Sequence, residues 1–96
     1  MKVASLRTLE TLRQHVLEIL CGHDRLDPSQ VKMQEGIIQR SGRNCGLLFQ
    51  VSGPRLLKSY AVWAEEENRI LFYDSTGARF SETRLSDSPD TGKLAA

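Results

Sequence analysis

The residues best equipped for chemistry stand together near the end of an apolar N-terminal run: Cys21, His23 and Asp24, with His15 two helical turns before His23. A thiol beside an imidazole is the start of a nucleophilic pair, and Cys21-Gly22-His23 offers two metal donors. A structural zinc takes four donors, and no residues nearby have the spacing of a third and fourth. A histidine at a helix C-terminus also complements the dipole without any further role. No catalytic residue, no cofactor-binding residue and no metal ligand set is assigned on these grounds, and no cofactor is expected.

Other polar clusters read as turns. Glu65-Glu66-Glu67 could loosely hold a hard cation, but adjacent carboxylates diverge in a strand or turn and lack the spaced ligands of a calcium loop. Ser52-Gly53-Pro54-Arg55 and Ser75-Thr76-Gly77-Ala78-Arg79 contain amides that could meet an anion, yet neither precedes a helix as a phosphate loop does. Asp74-Ser75-Thr76-Gly77 resembles, over four residues, the Asp-Ser/Thr-Gly triplet of aspartic proteases. That family is all-β, whereas a long helix leads this chain.

The basic residues are unevenly spread. From Val31 to Tyr60, Lys32, Arg40, Arg43, Arg55 and Lys58 face Glu35 alone, while from Ala61 onward four cations face seven carboxylates. Arg40, Arg43, Arg55 and Lys58 are the candidate nucleic-acid surface, with Tyr60, Trp63, Phe72 and Tyr73 as stacking platforms. Against this, the whole chain carries a formal charge of only +1 and a pI of about 7.8, short of a dedicated nucleic-acid binder. The sequence also lacks a ribonucleoprotein-type aromatic signature, a helix-turn-helix and a zinc finger.

The elements that would position these groups follow from periodicity. Leu6, Leu9, Leu12, Val16, Leu17, Ile19 and Leu20 recur at helical spacing with Arg7, Glu10, Arg13, Gln14 and Glu18 opposite, which predicts an amphipathic helix over 5–21. Ser5 is the expected N-cap, Gly22 the expected left-handed residue past the end, and Asp27-Pro28 a barrier to continuation. After Pro28 the period drops to two, and five strand-length runs follow: 31–40, 45–52, 56–64, 70–74 and 79–85. Their short connections predict antiparallel neighbours.

The expected fold class is α+β, with one N-terminal amphipathic helix packed on a five-stranded antiparallel meander. Its outline is similar to helix-on-sheet folds of the cystatin kind, which implies nothing about function. Cys45, Leu47, Phe49 and Val51 are expected to face the core. In the next strand, Leu57, Ala61 and Trp63 compete with Leu56, Tyr60 and Val62 for the inside. Gly36 and Gly46 are candidate bulge positions.

Ninety-six residues, 40% hydrophobic and 26% charged, suit a single small domain, expected over 1–85. A polar, flexible tail is expected over 86–96, with the last four residues resembling a vector-encoded linker. No apolar stretch is long enough for a membrane helix and no secretory leader is evident, so no membrane partner and a cytoplasmic location are expected. Cys21 and Cys45 are expected as buried thiols rather than a disulfide framework. With catalytic groups scarce, the expected function is a non-catalytic protein-binding or assembly module, with a protein partner or a second copy meeting Leu56, Tyr60, Val62 and Trp63. A nucleic-acid-binding domain is the alternative, and a small enzyme the third.

Overall fold

The computed structural model of the chain describes residues 2–6, 8–52 and 58–87. Eight elements follow in order: β1 (Lys2–Ser5), α1 (Leu9–Asp24), a 3₁₀ turn (Pro28–Gln30), β2 (Lys32–Arg40), β3 (Arg43–Ser52), β4 (Lys58–Ala64), β5 (Arg69–Tyr73) and β6 (Arg79–Asp87). β2 to β6 form the antiparallel meander, and α1 packs on one face of it.

A sixth strand completes the sheet, in the order β1-β6-β5-β4-β3-β2. β1 runs parallel to β6, with Lys2 opposite Thr83 and Ser5 opposite Asp87, and the Ser5 hydroxyl donates to the Asp87 carboxylate. Four residues are too few to display a period, and the partner lies at the far end of the chain, so neither is visible locally. This pairing takes Ser5 out of the helix. The N-cap is Thr8 instead, extended at φ −123°, whose hydroxyl accepts from the Thr11 amide at 3.1 Å. Thr11 returns the bond by accepting from the Thr8 amide at 3.2 Å, closing a capping box.

At the other end Gly22 lies within the helix. Arg25 takes the left-handed conformation at φ 54°, and Leu26 donates to the Cys21 carbonyl at 2.8 Å. Ser86 and Asp87 belong to β6 rather than to a tail, and residues 88–96 lie outside the described residues.

Leu9, Leu12, Val16, Leu20 and Cys21 form the buried stripe of α1. They meet Leu47, Phe49 and Val51 from β3, Ala61 and Trp63 from β4, Ile70 and Phe72 from β5, and Leu85 from β6. The competition in β4 is thus resolved: Ser59, Ala61 and Trp63 point at the helix, and Tyr60, Val62 and Ala64 point away. Trp63 is 1% exposed and its indole N–H reaches the Asn68 side-chain oxygen at 3.4 Å, giving the buried ring its polar partner.

The connections carry the chirality the sheet needs. Ser41 and Gly42, both at positive φ, make the two-residue turn between β2 and β3, as the right-handed strand twist favours. Of the two glycines considered for bulges, Gly46 adjoins one. The register slips between Ile38 and Gln39, leaving Cys45 as the extra residue of β3, and a Cβ on Gly46 would lie 2.1 Å from the Trp63 carbonyl oxygen. No helix among the described residues is long and apolar enough to cross a membrane.

Candidate functional site

The helix covers one face of the sheet, no described element covers the other, and the residues of that second face fall into cross-strand rows. Lys32, Ser52 and Lys58 are directly opposite one another at one end. Next come Gln34, Gln50, Tyr60, Tyr73 and Arg79, then Gly36, Leu48, Val62, Leu71 and Glu82, and then Ala64, Arg69 and Arg84. Directly opposite residues on antiparallel strands share a face and touch. The third row therefore sets Leu48, Val62 and Leu71 side by side, with Tyr60 beside Tyr73 in the adjoining row.

Leu48 is 39% exposed, while Val62, Leu71, Tyr60 and Tyr73 are half-buried by their neighbours alone. Around this apolar centre stand Lys32, Lys58, Arg69, Arg79 and Arg84, with Glu82 the single carboxylate in the rows. Arg69 donates to Glu67 at 2.7 Å and to Glu82 at 2.9 Å. The hydrogen bond from Arg69 holds the Glu82 carboxyl below its ordinary range, with the field of Arg69, Arg79 and Arg84 acting in the same direction. Four cations at the rim thus have no carboxylate opposite them in these rows, although the chain as a whole is nearly neutral.

The structure distributes the sequence candidates unevenly. Tyr60 and Val62 lie on the uncovered face, Trp63 is turned into the core, and Leu56 falls outside the described residues. Trp63 cannot contribute to the same surface, because neighbouring strand residues point to opposite faces. Arg40 and Arg43 sit together at the β2–β3 turn, whereas Lys58 stands opposite Ser52 at the other end of β3, roughly 30 Å away at 3.3 Å per residue. Arg55 lies outside the described residues. The described members of the candidate basic cluster therefore do not form one patch. Arg69, Arg79 and Arg84 complete the cationic rim instead, and only cross-strand register reveals that they share a face with Lys32 and Lys58.

Arg40 and Arg43 line a cleft of about 540 Å³ with Asn44, Cys45, Glu65 and Glu66. Its guanidinium and carboxylate groups offset each other, and the Cys45 thiol donates to the Ile38 carbonyl at 3.3 Å, back into its own hairpin. Cys45 is half-buried rather than buried.

The Cys-His constellation is dispersed. Cys21 is buried in the core, and His15 Nε2 lies 3.0 Å from the Thr83 hydroxyl with its ring edge-on to Phe72. His23 stacks on Phe80 with centroids 3.6 Å apart. Among the described residues no group of three or more His, Cys, Asp or Glu side chains could hold a metal. Asp74 is likewise occupied: its carboxylate accepts from the Thr76 hydroxyl at 2.6 Å and from the amides of Thr76 and Ala78 at 2.9 and 3.1 Å. Those bonds, that of the Thr76 hydroxyl foremost, pull its pKa down and staple the β5–β6 turn.

Comparison of the chain with protein-family models, with curated proteins and with solved structures finds no match.

Proposed function

We propose that this chain is a non-catalytic protein-binding module that docks a partner on the helix-free face of its sheet. The observation that carries the proposal is the row Leu48, Val62 and Leu71, three aliphatic side chains in direct register on a face that no described element covers. Strands stand about 4.8 Å apart, so the row presents roughly 10 Å of continuous apolar surface. Tyr60 and Tyr73 extend it with rings that bind at low entropic cost. The cationic rim favours a partner with acidic residues flanking apolar ones. Two copies packed through this face would oppose rim cations with rim cations, so the partner is a different chain.

The test is affinity capture from an extract of the native cell, comparing the unaltered chain with Val62→Lys and with the exposed-turn variant Ser75→Lys. A partner retained by the first and third and lost by the second is expected. Retention of the same partner by all three sinks the proposal, as does capture of none.

A second reading, single-stranded nucleic acid, is favoured by one observation: Tyr60 and Tyr73 stand opposite each other with Arg79 opposite Tyr73 and with Lys32 and Lys58 in the next row. Bases stack on such rings while phosphates meet Lys and Arg. NMR titration with mixed oligonucleotides at low and high salt separates the two. Salt-sensitive shifts at Lys32, Tyr60, Tyr73 and Arg84 would replace the protein-partner reading, and their absence would retain it.

A further inference from the structure

The two edges of the sheet are unlike. β1 is four residues long, whereas β2 is nine, contains no proline, and among the described residues pairs with β3 alone. Natural sheets blunt their edges by shortness, proline, bulges, charged side chains or unpaired inward charge. Of these β2 has charged residues, with Lys32 and Arg40 confined to its two ends. Its one register slip puts the extra residue in β3, leaving β2 regular. Its one charge on the helix face, Glu35, is neutralised by a bidentate contact with Arg13 at 2.5 and 2.9 Å. Ile37, on that same face and beyond the reach of the helix, is 44% exposed, the largest value for a bulky apolar residue among the described residues.

We propose that β2 is a self-recognition edge, where two copies of this chain pair antiparallel about a two-fold axis at Ile37. The sequence of the strand is self-complementary in that register. Ile37 meets its own copy, Gly36 faces Ile38, Glu35 faces Gln39, and Gln34 faces Arg40, so every charge in the shared stretch meets an amide. Centring the pair on Gly36 instead would set Lys32 against Arg40, and centring it on Glu35 would set that carboxylate against itself, both like-charge pairs. The register about Ile37 keeps each residue on the face it already occupies. Both helices therefore lie on one side, and the helix-free faces join into one twelve-stranded surface. The edge backbone groups supply the hydrogen bonds, as in strand addition, and Ile37 supplies apolar contact where the helix leaves the sheet bare.

The test is sedimentation equilibrium of the full chain over micromolar to millimolar concentration, with Ile37→Lys, Val62→Lys and Ile37→Cys alongside. A reversible dimer of twice the 10.8 kDa chain mass is expected. Ile37→Lys, confirmed folded by circular dichroism, sets two cations opposite each other and weakens the dimer about tenfold or more. Val62→Lys leaves it intact, and Ile37→Cys gives an oxidised dimer on a non-reducing gel that dilution into reductant dissolves. A chain monomeric at every concentration overturns the proposal. So does a dimer that Val62→Lys abolishes and Ile37→Lys leaves untouched, which would place self-association on the helix-free face.

Discussion

Gly46 and Gly36 occupy neighbouring strands, and adding one methyl group to each should have opposite consequences. A Cβ at position 46 falls 2.1 Å from the Trp63 carbonyl oxygen, whereas one at position 36 meets nothing within 4 Å. An ordinary C···O approach is about 3.3 Å, so the β3–β4 pair would have to separate by over 1 Å at Gly46. Strand hydrogen bonds weaken beyond about 3.2 Å, and a separation of that size breaks those flanking the site. Two lost bonds at about 1 kcal/mol each, with the lower half of the usual 1–3 kcal/mol overpacking strain, put Gly46→Ala at about 3–4 kcal/mol. For a domain of this size that is a fall in Tm of about 10 to 30 °C. Gly36→Ala should be neutral or stabilising by up to about 1 kcal/mol, because alanine restricts the unfolded chain. Thermal and urea unfolding followed by circular dichroism measure both. A Gly46→Ala stability within about 0.5 kcal/mol of Gly36→Ala, well under this overpacking range, would refute the close approach and the bulge that creates it.

Trp63→Ala empties the centre of the core and should cost about 3–5 kcal/mol, while Tyr60→Ala, on the opposite face of the same strand, should cost about 1 kcal/mol or less; urea unfolding of the two separates core from surface. Thr8→Ala removes the observed cap and should cost about 1 kcal/mol, with Ser5→Ala leaving helix content unchanged by far-ultraviolet circular dichroism. Hydrogen bonds from Arg69, Thr76 and Ser29 lower the pKa values of Glu82, Asp74 and Asp27 respectively. Groups lowered on folding stabilise the protein above their unfolded pKa values, 4.5 for Glu82 and 3.8 for the two aspartates. That contribution disappears as pH falls through the folded values. Stability should therefore be level near neutrality and decline from about pH 4.5 downward. Glu82→Gln should flatten the upper part of the decline in pH-dependent urea midpoints, and an unchanged profile would contradict the Arg69–Glu82 contact.

The helix and the five-strand meander were legible because each is a local pattern. Leu9, Leu12, Val16 and Leu20 return every three or four residues, Leu47, Phe49 and Val51 every two, and short turns leave antiparallel pairing as the available geometry. Ser41-Gly42 and Asp74 to Gly77 announce turns by residue type alone. The helix start is not legible locally, because Ser5 and Thr8 are both competent caps. The choice between them rests on the pairing of Lys2–Ser5 with β6, roughly eighty residues away in sequence.

The site was legible only in fragments. Tyr60, Val62 and Lys58 carry apolar and cationic signals, but a strand apolar on both sides does not say which side meets the helix. Helix contact with β3 and β4 decides that, sending Trp63 inward and Val62 outward. Leu48, Val62 and Leu71 belong to three strands, and their adjacency exists only through register, as does the company of Lys32, Arg69, Arg79 and Arg84 around them. The sequence by itself determined the periods, and through them the elements and which residues can share a face within each. Tertiary structure decided which face is covered, which edge is left long, and which distant residues stand side by side, because those outcomes depend on packing between segments that no local pattern encodes.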